Sequence, residues 1–249
     1  MSKIIAFANH KGGVAKTTTV ASVGYCLAKS GYKVLMIDLD PQSNLTSNFL
    51  EYQPEISIYD SLCKNQDLPV ISISDNLSIV PSSLQHAFTE TQLSTTMCRE
   101  TVLKQRLSKV ESSFDFILLD CPPSLGLVTI NALASATHLI IPITAEVFPS
   151  FGLNMIEQLL QLVKAQLNPS VKINGIVLTR WENNKLSRQI EQLITSSYPG
   201  VLFDTKIRKN VAVAAAPLRL QTIFQYDPES NGAKDYKQLS EELLKRIEA

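Results

Sequence analysis

Along the 249 residues, short apolar runs of strand length alternate with longer stretches whose apolar positions recur at helical spacing. Six runs read as strands: "KIIAFAN" (Lys3 to Asn9), "KVLMID" (Lys33 to Asp38), "LSIVPS" (Leu77 to Ser82), "FDFILLD" (Phe114 to Asp120), "HLIIPI" (His138 to Ile143) and "VKINGIVLT" (Val171 to Thr179). Most are apolar on both faces, as strands are when a parallel sheet is covered on both sides. Between the first two, "TTTVASVGYCLAKSG" puts Val20, Val23, Leu27 and Ala28 on one helical face, with Gly31 where a C-terminal cap belongs. That is strand, loop, helix, strand, the unit of an α/β fold with a parallel sheet. The final "AKDYKQLSEELLKRIEA" places Tyr236, Leu239, Leu243 and Ile247 on one stripe with charges elsewhere, which predicts an amphipathic helix docked on the sheet. Residues 51–75, with Pro54 and Pro69 among turn formers, predict an irregular excursion. No repeat and no low-complexity tract interrupts the pattern.

Composition narrows the class. With 45 % hydrophobic and 18 % charged residues the chain can bury the core of one large α/β domain or at most two smaller ones, and one domain over residues 1–249 is the favoured reading. The formal net charge is zero, so no global field advertises a nucleic-acid or membrane partner, and any such surface must be local. Cys26, Cys63, Cys98 and Cys121 form no C-x-x-C pair, which argues against a zinc ribbon or disulfide framework and suits a reducing cytoplasm. The apolar run before His10 is too brief for a signal peptide or a spanning helix.

The chemistry concentrates at strand ends. "NHKGGVAKTTT" (Asn9 to Thr19) follows the first strand and opens the first helix, the position of a phosphate-binding loop, but His10 and Ala15 stand where G-x-x-x-x-G-K-[ST] has glycine. A phosphate site needs backbone N–H groups curled round an anion, a helix N-terminus and a lysine. Gly12 and Gly13 supply the curl, Val14 and Ala15 complete it, Lys16 faces the β- and γ-phosphates, and Thr17, followed by Thr18, offers a hydroxyl to Mg²⁺. Ala15 is tolerable there if it enters the helix right-handed. Asp38 and Asp40 end the second strand on one face, with Leu39 pointing away, and can hold metal-bound water or orient the attacking one. The fourth apolar strand delivers Asp120 to the same sheet edge as a candidate Mg²⁺ carboxylate, and Pro122 and Pro123 stop it.

A second lysine, Lys11, gives the loop more positive charge than one γ-phosphate site needs. The pattern K-G-G-x-x-K-[ST] resembles the deviant Walker A ATPases and, within them, the ParA/Soj partition proteins, and the likeness runs from Lys3 to the final helix. The resemblance implies a P-loop fold with a mostly parallel twisted sheet flanked by helices on both faces. It implies that Lys11 reaches the partner's ATP in a nucleotide-sandwich homodimer. It makes "DLDPQ" the first switch region, with Asp40 positioning the hydrolytic water, and matches Asp120-Cys121-Pro122-Pro123 to the pattern D-x-P-P. "PITAEVFPSFGL", which contains Glu146, resembles a segment packed near the dimer interface. "NVAVAAAP", ending at Pro217, resembles a loop beside the adenine, with Ala215 where an acidic residue is usual. Arg180 is read either as a residue stacked on the base or as a surface residue.

The tails separate members of the wider family. A MinD-type regulator of cell division should end in a basic membrane helix. Here Glu241, Glu242 and Glu248 accompany a core-facing stripe, so no membrane partner is expected. Cys98 and Cys121 lack the flanking pattern of an iron–sulfur protein of the nitrogenase type. Because the chain starts at its first strand, no N-terminal helix-turn-helix is expected. Between Arg180 and Arg219, basic residues outnumber acidic ones, and Lys185, Arg188, Arg208, Lys209 and Arg219 are the candidates for sequence-independent DNA contact. The resemblance thus implies an ATP-dependent, nucleoid-associated cytoplasmic protein that uses ATP and Mg²⁺. It dimerises on ATP, binds double-stranded DNA, and is released by slow hydrolysis that a ParB-like adaptor stimulates. The alternatives are a ParA-like positioner of protein cargo, a MinD-like regulator, a non-hydrolysing scaffold and a biosynthetic P-loop enzyme.

Overall fold

The computed structural model describes residues 2–145 and 149–248. Its strands are β1 (Lys3–Phe7), β2 (Val34–Asp38), β3 (Ile71–Ser74), β4 (Leu77–Val80), β5 (Phe116–Asp120), β6 (His138–Thr144) and β7 (Lys172–Thr179). Among the described residues they form a seven-stranded sheet in the order β3-β4-β2-β5-β1-β6-β7, parallel throughout except where β3 pairs with β4. Six of these strands fall on the six apolar runs.

The segment 51–75 is more regular than its composition predicts. It holds a helix, Ile58–Cys63, closed by a reciprocal capping box between Ser57 and Asp60, and then β3. The strand reads "ISIS", half-buried and exposed in alternation. An antiparallel edge strand needs only one covered face, so two isoleucines suffice where a buried parallel strand needs a run.

Helices cover both faces. On one side Lys16–Lys29 and Asn231–Glu248 pack together, burying Val20, Val23 and Leu27 with Tyr236, Leu239, Leu243 and Ile247 against β1, β2 and β5. Both predicted stripes face the core. On the other side Val102–Leu107, Leu127–Ser135, Pro149–Gln166 and Lys185–Ser197 cover the sheet. Each fully buried Leu or Ile contributes about 1.5–3 kcal/mol. Emptying one site, as in Leu27→Ala, would cost about 2–5 kcal/mol.

What this does for function is set by register. β2, β5 and β1 are adjacent and parallel, Phe7 is level with Asp120, and Asp120 is level with Asp38. The loop after β1 and the aspartates that end β2 and β5 therefore emerge at one sheet edge, where α/β proteins bind ligands.

Candidate functional site

The loop after β1 is tied down from two sides. Asn9 donates its side-chain amide to the Pro142 carbonyl at 2.7 Å and accepts the Lys11 N–H at 3.0 Å. The Thr179 hydroxyl, at the end of β7, lies 3.1 Å from the Val14 carbonyl and 3.0 Å from that of Ile143, sharing one proton between them. Neither anchor was singled out from the sequence. Asn9 carried a signal, an Asx side chain two residues before the N–H it bonds; Thr179 carried none.

Gly13 has φ +75 and Ala15 φ +61, so the loop needs two left-handed residues and supplies glycine for one. The expectation that Ala15 enters the helix right-handed is wrong: it is the residue before the helix, with ψ 32, and its carbonyl accepts the Thr19 N–H. The motif's second glycine serves this conformation, and an alanine holds it at a cost of about 1–2 kcal/mol. A Cβ added to Gly12 or Gly13 would meet nothing within 4 Å, so there is free space beside both glycines.

Lys16 is only 7 % exposed, and its ammonium donates to the Lys11 carbonyl at 3.2 Å. Burial lowers its pKa, while Asp120, Cys121 and Asp40 draw it back up. Asp120 is fully buried; no group reaches either carboxylate oxygen with hydrogen-bond geometry, and the Thr17 hydroxyl lies close enough to act on its charge without making that bond. Burial first and Asp38 second push its pKa well up, against the pull of Thr17 and Lys16. An orphaned carboxylate in the interior is costly. Two open carboxylate oxygens beside the Thr17 hydroxyl are hard donors that suit Mg²⁺, which takes few protein ligands and completes its shell with phosphate and water. The residues fit the ion.

Asp38, read above as a metal ligand with Asp40 and Asp120, is otherwise engaged. One oxygen accepts the Asp40 N–H at 3.1 Å, and the other accepts both the N–H and the hydroxyl of Thr46, at 2.8 and 2.7 Å. Burial raises its pKa to about 6, which these hydrogen bonds resist. Asp38 braces the turn, and Thr46, a second residue the sequence did not disclose, holds it. Asp40 lies beyond the strand, almost buried, with one oxygen accepting the Gln42 N–H at 2.9 Å.

The other candidates disperse. Arg180 follows β7 with φ +50 and is exposed. "NVAVAAAP" is not a plain loop: the Asn210 side chain caps the helix Val211–Ala215, and a 3-10 turn, Ala216–Arg219, carries half-buried Pro217 and exposed Arg219. Glu146 lies outside the described residues. Arg208 is tied to Asp235 of the last helix, its guanidinium 2.6 Å from one oxygen, and Lys209 is paired with Glu182 at 2.7 Å. Lys206 pairs with Glu191 at 2.5 Å and lies over the Trp181 ring. Lys185 and Arg188 open the helix Lys185–Ser197, and Arg188 donates to the Asn183 amide oxygen at 2.7 Å.

A loop of this kind, opening the helix that follows the sheet's first strand onto a buried lysine, makes the chain a P-loop nucleotide-binding protein. Known proteins narrow the class. The AAA domain family model matches residues 2–173. The sporulation initiation inhibitor protein Soj of Bacillus subtilis is 37 % identical over 98 % of this chain and 98 % of its own. The chromosome-partitioning ATPase Soj of Treponema pallidum is 35 % identical over 99 % of this chain and 98 % of its own. The chain belongs to the Soj/ParA family of ATPases. Among solved structures, cobyrinic acid a,c-diamide synthase of Mycobacterium smegmatis, with a bound ATP analog and magnesium, superposes with TM-score 0.87 at 29 % identity, covering 100 % of this chain and 97 % of that one. Among the described residues, no helix is long and apolar enough to cross a membrane.

Proposed function

We propose that the chain is a DNA-partition ATPase, in which Mg-ATP joins two subunits, the dimer binds double-stranded DNA without reading its sequence, and hydrolysis releases it. The observation that carries the reading is the buried Asp120 carboxylate, open at both oxygens beside Lys16 and Thr17. A divalent cation there would compensate the buried carboxylate, which supports the Mg-ATP half of the reading.

The roles follow from position. Backbone N–H groups from Gly12 to Thr18 cradle the phosphates, and Lys16 faces the β- and γ-oxygens. Thr17 and Asp120 would hold Mg²⁺, whose chemistry is to neutralise charge on those oxygens. Asp40 orients the attacking water, and Asp38 holds the turn that presents Asp40. Lys11 reaches the nucleotide of the partner subunit, and Arg180 and Pro217 flank the adenine. Lys185, Arg188 and Arg219, with Lys209 once phosphate displaces Glu182, supply the phosphate contacts that give affinity without sequence readout. Arg208 contributes less than its charge promises, because Asp235 holds it. A ParB-like adaptor accelerates turnover, and the protein works in the cytoplasm at the nucleoid. The likeness to a synthase structure favours a second reading, a biosynthetic ATPase, and Lys11 weighs against it.

The test pairs two variants. Asp40→Ala should keep ATP affinity and lose single-turnover hydrolysis; Lys11→Ala should keep ATP affinity and lose ATP-dependent dimers in light scattering. Dimers that persist in Lys11→Ala remove the cross-subunit role. ATP turnover that appears only with a small-molecule acid or amine as co-substrate moves the protein to the biosynthetic reading.

A further inference from the structure

We infer that His86 is a positioning residue for ATP hydrolysis, because its ring N–H holds the peptide unit that presents Asp40. The inference rests on the reading of Asp40 given above. The unit consists of the Leu39 carbonyl and the Asp40 N–H. Asp38 takes the N–H at 3.1 Å, and His86 Nε2 lies 3.1 Å from the Leu39 carbonyl. A carbonyl only accepts, so Nε2 carries the proton, and Nδ1 is the acceptor for the Thr89 hydroxyl, 2.7 Å away. Thr89 thereby fixes the tautomer, the arrangement that orients functional histidines generally.

Four further features agree. Leu39 donates its own N–H to the Asp120 carbonyl at 3.0 Å, so the residue between the two aspartates is held on both edges. His86 is 1 % exposed and Thr89 is fully buried, so the pair is shielded from water that would compete for the carbonyl. Burial lowers the His86 pKa to about 4, which leaves the ring neutral and in one tautomer at neutral pH. The same segment reaches the other catalytic strand: the Glu90 carboxylate approaches Gly126, where a Cβ would collide with it, and lies 3.5 Å from the Val128 N–H at the start of the helix after Asp120. Residues 86–90 thus touch the backbone that follows both β2 and β5. A side chain 46 residues from Asp40 in sequence sets the direction in which Asp40 leaves its strand.

The test compares wild type, Asp40→Ala, His86→Leu, His86→Gln and Thr89→Val in the full chain, measuring ATP Kd, single-turnover rate and thermal midpoint. His86→Leu removes the donor at similar volume and should lower the rate about tenfold or more with ATP Kd within about twofold, because misplacing a reacting group weakens the chemical step and spares binding. His86→Gln puts an amide N–H near the Nε2 position and should recover the rate to within about threefold of wild type. A merely structural role predicts equal loss in both variants, or a parallel loss of ATP affinity, and either result overturns the inference. So does a wild-type rate in His86→Leu. If His86→Leu does not fold, Thr89→Val decides: the rate should fall about threefold with ATP Kd unchanged, and an unchanged rate overturns the inference. Hydrolysis retained in Asp40→Ala is a separate outcome, which removes the Asp40 role itself.

Discussion

The nucleotide edge and the basic stretch from Arg180 to Arg219 both carry many charges, yet the structure treats them in opposite ways. At the edge, Lys16, Asp38 and Asp120 are buried, and Asp120 is left without a hydrogen-bond partner. In the basic stretch, Lys206 is partly exposed, Arg208 and Lys209 are more so, and each already has an acidic partner. Burial makes charge expensive, so an interior carboxyl whose pKa is pushed up and whose oxygens lack hydrogen-bond partners marks a candidate ligand site. Exposed pairs contribute little and exchange partners easily, so their charge does not by itself name a partner. The contrast separates a site marked by burial from a face marked by charge alone.

The largest expected effect is at the edge. Lys16→Ala should lower ATP affinity by about 100-fold or more, since it removes the buried cation opposite the phosphates and leaves Asp120 uncompensated. Isothermal calorimetry with Mg-ATP reads this directly, and wild-type affinity in the variant would remove the P-loop assignment. The next effect is on stability. His86 is neutral when folded, with a pKa near 4, against an ordinary value of 6.5 when unfolded. The unfolded chain therefore takes up the proton first, and the stability this residue contributes is complete above about pH 6.5 and lost as pH falls towards 4, by roughly 3 kcal/mol. Denaturant melts of wild type and His86→Gln across that window should diverge on the acid side; parallel curves would show that the histidine is already charged in the fold.

The two regions also separate within the basic stretch. Arg208→Ala should destabilise the fold by about 1–2 kcal/mol, because Asp235, with a side chain only 8 % exposed, loses its partner. Replacing Lys185 and Arg188 together by Ala should leave stability unchanged and reduce the salt slope of DNA binding by about 2. Equal effects of the two substitutions on stability would erase the distinction. The smallest effect is in the loop itself: Ala15→Gly should raise stability by about 1 kcal/mol or less, the left-handed strain relieved less the added backbone entropy.

Much of this was legible in the sequence. Six of the strands, the first and last helices, the phosphate loop and Asp120 are announced by apolar runs that end in turn residues or acids, a signal that burial on both faces imposes. What stayed hidden turns on backbone conformation, side-chain partners and edge position, none of which a run of apolar residues encodes. Ala15 looks permissible until its φ is seen. Asp38 reads as a ligand from its spacing, and its hydrogen bonds to Thr46 and the Asp40 N–H add a role in holding the turn. Arg208 reads as a free cation until Asp235, 27 residues on, is seen to pair with it. His86 gave no local sign, because its partner is the backbone of another strand's end. β3 escaped because an edge strand with one covered face needs too few apolar residues to form a run.

The central claim is that nucleotide occupancy of the buried edge controls the affinity of the exposed basic face for DNA. The direct measurement is binding of non-specific duplex DNA with no nucleotide, with ADP, with ATP and with a slowly hydrolysed analogue, for wild type and Asp40→Ala side by side. The account predicts binding with ATP and the analogue alone, prolonged in Asp40→Ala. DNA binding that is equal in all four states, or absent from all of them, would contradict it.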